Sequence, residues 1–249
     1  MSDSPAALHS HIELTVGIRP DAILVARCSS TRLPGKVLRM VQGRPMIEYV
    51  IEKLRRCSSV GRICIATSMD RSDDPLEKWC NKNNVLCFRG SLTNVAERVL
   101  GAAEMSGCSA FFRVNGDSPL LATSLLDRAL DAYLGSNLDV VTNVHPRSYP
   151  PGMSVELIKT DSMRTAVGQM TESRDQEHVT AYFYANEHRF AIKNICSQTN
   201  YSSVHLAVDT ELDLILIDSI LGKMKRPHWM YDVDDVLALY HEVQNCGQD

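Results

Sequence analysis

Residues 22 to 36 of the chain read AILVARCSSTRLPGK. The first five residues, Ala22 to Ala26, are an apolar run of the kind that forms a buried strand, and a polar loop follows at once. In open parallel sheets, ligands bind beyond the carboxyl ends of such strands. We therefore predict that this strand begins the fold and that the loop after it contributes to a functional site.

Apolar runs of the same kind recur through the first half of the chain and alternate with amphipathic segments. The predicted strands cover residues 22 to 26, 62 to 66, 85 to 88, 110 to 114 and 138 to 141, and the predicted helices cover about 45 to 56, 74 to 83, 92 to 106 and 123 to 134. This alternation predicts an α/β fold with a mostly parallel sheet and helices on both faces.

The second half of the chain has a less regular pattern. We predict strands at residues 153 to 158, 190 to 195 and 204 to 208, and helices at about 160 to 169, 174 to 186, 210 to 221 and 232 to 244. We interpret residues 1 to 20 as a poorly ordered leader, because they show no sustained period. Residues 21 to 249 are then expected to form a single domain.

Composition excludes two classes of partner. The net charge is −4 and the chain has no basic run, so a nucleic-acid partner is not expected. No stretch approaches the roughly 18 consecutive apolar residues that span a bilayer. The first twenty residues also lack the basic segment followed by an apolar segment that marks a signal peptide. We therefore expect a cytoplasmic protein.

The loop after the first strand has the composition of a phosphate site. It brings together Arg27, Arg32 and Lys36 with three hydroxyl side chains and a Pro-Gly turn. Guanidinium groups and backbone N–H groups bind phosphate oxygens, and a lysine adds a compact charge. The loop is not a Walker A motif, because Ser30 stands where glycine is needed and Val37 follows the lysine. An ordinary solvated basic turn remains the alternative.

Two acidic residues follow other predicted strands. Asp117 ends the stretch FFRVNGD, and Asp209 ends the stretch VHLAVD. Two carboxylates at strand ends can share a Mg²⁺ ion that also holds phosphate oxygens. The alternatives are that Asp209 only caps the helix beginning at Thr210 and that Asp117 only shapes a turn.

Together these segments resemble the cytidylyltransferase family, which includes CMP-KDO synthetase, CMP-sialic acid synthetase and, with the closest resemblance, the spore-coat polysaccharide biosynthesis cytidylyltransferases. The resemblance runs from about residue 21 to about residue 221. It rests on Ala26-Arg-x-x-Ser30-x-Arg32-Leu-Pro-Gly-Lys36, on Arg113-x-x-Gly-Asp117-x-Pro119, and on Val208-Asp209-Thr210 with Asp213. Weaker matches are Arg147-Ser-Tyr149-Pro150-x-Gly152 and Glu177-His178-Val179-Thr180.

The resemblance implies a Rossmann-like nucleotidyltransferase that transfers CMP from CTP to an acidic sugar, releases pyrophosphate, requires Mg²⁺ and serves nucleotide-sugar and polysaccharide biosynthesis. It also implies a homodimer, with an acceptor and dimerisation subregion at about residues 142 to 200. The expected catalytic residues are Arg32, Lys36, Asp117 and Asp209, of which the two aspartates would bind the metal. The expected nucleotide-binding residues are Ala26, Arg27, Ser29, Ser30, Arg32, Lys36, Asn94, Arg98 and Gly116.

The acceptor candidates lie in the second half of the chain, which we expect to fold over the nucleotide. They are Tyr149, Glu156, Arg174, Glu177 and His178. Arg174 could pair with a substrate carboxylate. Alternatively, a solvated helix face could be formed by Arg174, Glu177 and His178. Tyr149 could instead be a packed loop anchor. The family often has an aspartate where Ser154 stands and an acidic residue in the segment matching Asn94 to Arg98.

Other interpretations stay open from the sequence alone. The stretch Asp232-Val-Asp234 spells the Asp-x-Asp of metal-dependent glycosyltransferases, but acidic residues also suit the start of a helix. The same fold could use another nucleoside triphosphate, or a non-sugar acceptor such as a phosphonate or polyol phosphate. A non-catalytic nucleotide-binding relative is the third possibility.

Overall fold

The structure is a computed structural model that describes residues 19 to 246. The predicted leader therefore lies outside the described residues, except for Arg19 and Pro20. The carbonyl of Pro20 accepts a hydrogen bond of 2.9 Å from the N–H of Gly61, and β1 follows directly at Asp21–Val25.

Within the described residues, a sheet of seven strands forms the centre of the fold. After β1 the chain contributes β4 (Ile63–Ser68), β5 (Leu86–Gly90), β6 (Ala110–Asn115), β7 (Val140–Thr142), β8 (Glu156–Lys159) and β9 (Ile192–Asn194). Their order across the sheet is β5-β4-β1-β6-β8-β7-β9. All neighbours pair in parallel except β8, which runs antiparallel to β6 and β7. The predicted mostly parallel sheet is confirmed.

Helices cover both faces of this sheet, as predicted. They are α1 (Met46–Arg56), α2 (Asp74–Lys82), α3 (Val95–Ser106), α4 (Ser124–Tyr133), α5 (Thr160–Val167), α6 (Ser173–Glu177), α7 (Ala181–Ala185), α8 (Glu211–Gly222) and α9 (Val233–Cys246). The apolar faces of α1, α2, α4 and α8 pack into one buried cluster, and those of α3, α5 and α7 pack into a second cluster. The predicted α/β fold, with helices on both faces of a mostly parallel sheet, is confirmed.

Two predictions about local structure are wrong, and one element was not predicted. Residues 204 to 208 form no strand, because their backbone bonds go to loops: Leu206 N–H donates to the Pro151 carbonyl at 2.7 Å. The helix predicted at 174 to 186 divides into α6 and α7, because Val179 and Thr180 between them turn inward and are buried. A short antiparallel hairpin of β2 (Met40–Val41) and β3 (Arg44–Pro45) was not predicted.

The core contains a buried lysine on α1. Lys53 on α1 has no exposed surface, and its Nζ reaches the Tyr231 carbonyl at 3.3 Å. Burial lowers its pKa from 10.5 to about 8, against the opposing charge of Asp232. At pH 7 the protein therefore carries a buried ammonium at a cost in stability.

Lys53→Met should raise the free energy of unfolding by about 2 kcal/mol at pH 7, since it removes that desolvation cost. Between pH 8 and 10.5 the unfolded wild-type chain binds more protons than the folded chain, so wild-type stability rises with pH and the advantage of the variant shrinks. Urea titrations at pH 7 and pH 10 measure both effects, with Lys82→Met on exposed α2 surface as the control. A variant less stable than wild type at pH 7 contradicts this account.

No helix in residues 19 to 246 is both long enough and apolar enough to cross a bilayer.

Candidate active site

The loop that follows β1 is folded back on itself. Gly35 adopts a φ of +67°, which favours glycine, and its N–H donates to the Cys28 carbonyl at 2.8 Å. A single 3-10 turn, Lys36–Leu38, starts immediately after it. The Pro-Gly turn of the sequence thereby closes the loop and places Lys36 at the edge of the sheet where β1 ends.

A buried aspartate from elsewhere in the chain fixes this loop. Asp73 is fully buried just before α2, and its carboxylate accepts hydrogen bonds from the backbone N–H groups of Cys28, at 2.5 Å, and Ser68, at 3.0 Å. It thus ties the loop after β1 to the end of β4. Sequence reasoning missed Asp73, since it resembles an ordinary helix-start acid and its partner Cys28 lies 45 residues away.

Lys36 bridges the two aspartates that the sequence predicts as metal ligands. Its Nζ donates to Asp117 Oδ2 at 2.7 Å, to Asp209 Oδ1 at 3.0 Å and to the Val208 carbonyl at 2.8 Å. Because both carboxylate oxygens are hydrogen-bonded to the same nitrogen atom, they lie close to one another. Two carboxylates 92 positions apart in the sequence converge at one point.

Local backbone contacts explain this convergence. Asp117 lies two residues after the end of β6, and its carbonyl accepts a hydrogen bond of 3.0 Å from the N–H of Val208. Thr210 and Asp213 form the capping box at the start of α8. Asp209 is therefore not the helix cap, and its carboxylate is directed to Lys36 and to Arg32 Nη2, which lies 3.1 Å away.

These residues surround a cavity of about 450 Å³. Eleven predicted site residues line it: Ala26, Arg27, Ser29, Ser30, Arg32, Lys36, Arg98, Asp117, Glu177, His178 and Asp209. Six further residues complete the lining: Val25, Thr31, Val37, Val95, Arg113 and Asn115. Arg113 and Asn115 could have been found, because they alternate along an otherwise apolar strand and so share one face of β6.

Three buried polar atoms on this lining have no hydrogen-bond partner among the described residues. They are Ser29 Oγ, Arg98 Nε and Arg113 Nε. Arg98 is 1% exposed, and no carboxylate in residues 19 to 246 lies within hydrogen-bond distance of its guanidinium; its Nη1 donates to the Ser91 and Leu92 carbonyls. Burial, followed by the charge of Arg27, lowers its pKa to about 10. A buried polar atom without a hydrogen bond lowers the stability of the folded protein. These atoms therefore indicate that a polar ligand binds in the cavity and supplies the hydrogen-bond partners.

Asn94 and Gly116 have structural roles that sequence reasoning did not assign. The Asn94 side chain accepts from Glu97 N–H at 3.0 Å and caps α3, and the residue lines a second cavity that shares Arg98 with the first. A Cβ on Gly116 would lie 2.8 Å from the Cβ of Ala26, so glycine there lets β6 and β1 end side by side. Neither residue lines the first cavity, and their predicted nucleotide contacts stay predictions.

Three predicted acceptor contacts also lie away from the cavity. Tyr149 is buried, and its hydroxyl accepts a hydrogen bond from Arg128, so it is the packed loop anchor of the alternative interpretation. Arg174 is exposed on α6 and does not line the cavity, whereas Glu177 and His178 on the same segment do. The Arg27 guanidinium lies 3.8 Å from the Glu177 carboxylate.

Glu156 is the third predicted acceptor residue that lies away from the cavity, and its carboxylate forms an ion pair with Arg113. It is 1% exposed, and its two carboxylate oxygens accept from Arg113 Nη1, at 2.6 Å, and from the Tyr184 hydroxyl. Burial raises the pKa of Glu156, but the charge of Arg113 and the hydrogen bonds outweigh it, and the pKa lies below its ordinary value. Direct contact of Glu156 with an acceptor is therefore wrong, because the carboxylate is enclosed.

The donor set fits a magnesium ion held jointly with a ligand. Within the described part of the chain, no three His, Cys, Asp or Glu side chains cluster as a metal site by themselves. Mg²⁺ is commonly bound by one or two carboxylates together with phosphate oxygens. Asp117 and Asp209 supply two carboxylates at one point, beside a loop that carries three cations.

The stretch Asp232-Val-Asp234 is the start of a helix. α9 begins at Val233, and the Asp235 carboxylate accepts from the N–H of Asp232 at 3.0 Å. Asp232 itself accepts from the Ser124 hydroxyl at 2.5 Å. None of these acids lines the cavity, so the helix-start interpretation is confirmed.

Several known proteins are similar to this chain in sequence. An uncharacterized protein of Methanocaldococcus jannaschii is 31% identical over 68% of this chain and 69% of its own length. Spore coat polysaccharide biosynthesis protein SpsF of Bacillus subtilis is 29% identical over 81% of this chain and 85% of its own. The 3-deoxy-manno-octulosonate cytidylyltransferase of Bdellovibrio bacteriovorus is 27% identical over 55% of each chain.

Solved structures share the fold. A cytidylyltransferase from Leptospira borgpetersenii superimposes with a TM-score of 0.85 at 23% identity, over 92% of this chain and 96% of that one. A CMP:2-keto-3-deoxy-manno-octonic acid synthetase complexed with CTP gives 0.64 at 15% identity, over 82% and 99%. A Mycobacterium tuberculosis protein in complex with manganese gives 0.56 at 12% identity, over 83% and 100%.

The sequence profile of one family covers most of the chain. The profile described as Cytidylyltransferase matches residues 22–220, which include the loop after β1, Asp117 and Asp209. The chain therefore belongs to the cytidylyltransferase family and is a nucleotidyltransferase enzyme.

Proposed function

We propose that this enzyme transfers CMP from CTP to a hydroxyl group of an acidic sugar and releases pyrophosphate, with Mg²⁺ as cofactor. The observation that carries the proposal is the convergence of Asp117 and Asp209 opposite the cationic loop of Arg27, Arg32 and Lys36. The B. bacteriovorus relative is named for cytidylyl transfer to a sugar acid, 3-deoxy-manno-octulosonate, and one structural relative was solved with CTP.

In the proposed complex the loop after β1 holds the triphosphate. The guanidinium groups of Arg27 and Arg32 and the Lys36 ammonium balance its charge, and they stabilise the pyrophosphate as it leaves. Arg98, buried and without an acid partner, donates to the nucleoside. The chain needs no histidine base, because catalysis of this reaction depends on orientation and electrostatics.

Asp117 and Asp209 would hold the metal ion. When bound, Mg²⁺ neutralises charge on the phosphate oxygens and favours ionisation of the attacking hydroxyl. The family generally uses a divalent metal, and a manganese complex is known for one structural relative. The acceptor hydroxyl attacks the α-phosphorus, and the bond between this phosphorus and the bridging oxygen of pyrophosphate breaks.

The acceptor is expected on the side of the cavity lined by Arg113, Glu177 and His178. Arg113 is the strongest candidate for a substrate carboxylate, because Glu156 fixes its guanidinium from one side while the residue lines the cavity. The expected homodimer built from about residues 142 to 200 stays a prediction.

A pyrophosphate-release assay tests the proposal. The enzyme with Mg²⁺ should release pyrophosphate from CTP only when an acidic sugar such as 3-deoxy-manno-octulosonate or a sialic acid is present, and EDTA should abolish the release. ATP, GTP and UTP serve as matched controls, as do neutral sugars and polyol phosphates. Equal release with all four nucleotides contradicts the assignment of CTP, and release with a phosphonate or polyol phosphate alone contradicts the acceptor class.

A further inference from the structure

Lys36 has no hydrogen-bonding capacity left for a phosphate in the arrangement that the structure shows. A protonated lysine has three N–H donors. Here Nζ makes three hydrogen bonds, to Asp117 Oδ2, the Val208 carbonyl and Asp209 Oδ1, and the side chain is only 13% exposed. The residue expected to grip the triphosphate is thus fully engaged with the expected metal ligands.

The ammonium lies where a cation shared by the two carboxylates must lie. Both carboxylate oxygens point at Nζ from 2.7 and 3.0 Å, and a main-chain carbonyl supplies a third oxygen at 2.8 Å. An ammonium and a divalent cation cannot occupy this point together, because their repulsion at such distances is large even with strong screening. Lys36 and a metal ion are therefore competitors for the same oxygens.

Charge balance supports the same conclusion. Two carboxylates carry two negative charges, and Lys36 together with Arg32, 3.1 Å from Asp209, supplies two positive charges. The site as arranged offers no net charge to a divalent cation. A nucleoside triphosphate would attract both cations, and Arg32 is free to move toward it, since its side chain is 64% exposed.

We propose that Lys36 acts as an internal substitute for the metal: it holds the carboxylates of Asp117 and Asp209 until a nucleoside triphosphate draws the ammonium onto its phosphates. Metal binding then requires the nucleotide, and the two carboxylates stay paired and charge-balanced in its absence. This inference rests on the proposed function, in which the same two aspartates hold the metal. It adds that Lys36 sets the order in which nucleotide and metal bind.

Manganese binding in the absence of nucleotide tests the proposal, with free Mn²⁺ measured by electron paramagnetic resonance. Lys36→Met should bind Mn²⁺ at least about tenfold more tightly than wild type, because it removes a positive charge in direct contact with both ligands. Adding Asp117→Asn to Lys36→Met should remove the gain. With CTP present, the wild type should bind Mn²⁺ readily.

Arg39→Met is the matched control. It also removes one cation near the site, but Arg39 pairs with Glu211 at 2.6 Å and does not line the cavity. Its affinity for Mn²⁺ should equal that of wild type. If Lys36→Met unfolds through repulsion of the two carboxylates, Lys36→Gln serves instead, and Mn²⁺ should raise the Tm of either variant more than that of wild type.

The outcomes separate the two proposals. Equal Mn²⁺ affinity of wild type and the Lys36 variants without nucleotide overturns the role of Lys36, even where CTP promotes Mn²⁺ binding to the wild type and the proposed function stands. No Mn²⁺ binding by either protein, with or without CTP, overturns the metal site and with it the proposed function.

Discussion

Asp117→Asn and Asp209→Asn should each lower kcat/KM by about a thousandfold and leave the fold intact. Asparagine keeps the shape of the side chain but removes the negative charge, so each variant loses one of the two carboxylates that converge on Lys36 Nζ. Loss of a single preorganised electrostatic group at a reacting centre costs about 10²- to 10³-fold. Pyrophosphate release under single-turnover conditions measures the effect on chemistry.

Asp131→Asn is the control for this pair. Asp131 is exposed on α4 and does not line the cavity, and its replacement should leave kcat/KM unchanged. Circular dichroism and thermal unfolding should show that all three variants fold. If Asp117→Asn or Asp209→Asn retains activity within a few-fold of wild type, that aspartate does not hold the catalytic metal.

Glu156→Gln should lower the free energy of unfolding by about 3 kcal/mol. The carboxylate is 1% exposed and pairs with Arg113 at 2.6 Å, so its neutralisation leaves the guanidinium beside the sheet without a counter-charge. Breaking one partner of a buried ion pair costs far more than breaking a surface pair. Urea unfolding at pH 7 measures the change.

Two further measurements identify the ion pair as the cause. Glu242→Gln removes a surface pair with Lys223 and should lower the free energy of unfolding far less than Glu156→Gln does. Arg113→Met added to Glu156→Gln should recover part of the loss, since no unpaired charge then remains. The account is contradicted if the double variant loses as much free energy of unfolding as the two single variants lose together.

The ion pair between Glu156 and Arg113 also predicts that the free energy of unfolding depends on pH. The folded pKa of Glu156 lies below its ordinary value of 4.5, so its contribution to stability is present above 4.5 and is lost as the pH falls through the folded pKa. The difference between wild type and Glu156→Gln should therefore shrink in acid below pH 4.5.

The parts of the site that the sequence predicts follow from short-range patterns. β1 is an apolar run that ends in a loop of cations, hydroxyls and glycine, and the hydrogen bond from Gly35 to Cys28 that closes this loop is local. Asp117 follows β6, whose end lies beside the end of β1 in the parallel sheet. Asp209 also follows an apolar run, but that run forms no strand, and the hydrogen bond from the N–H of Val208 to the Asp117 carbonyl holds it there. Eight of the residues that line the cavity come from the stretch between Ala22 and Lys36. This stretch therefore predicts more of the site than any other part of the sequence.

The parts that the sequence does not predict depend on contacts between distant segments. Asp73, Glu156 and Tyr149 are ordinary polar residues in the sequence, and only the fold shows that each is buried against a partner. For Glu156 the partner Arg113 is 43 positions away on the neighbouring strand. Residues 204 to 208 have the composition of a strand, but bonds to two loops replaced the sheet pairing.

The binding of manganese and CTP in a crystal tests the central claim most directly. We predict an anomalous manganese peak in contact with carboxylate oxygens of both Asp117 and Asp209, with the triphosphate against Arg27 and Arg32 and with Lys36 Nζ moved onto a phosphate. A triphosphate bound elsewhere, or a manganese peak that contacts neither aspartate, would contradict the account.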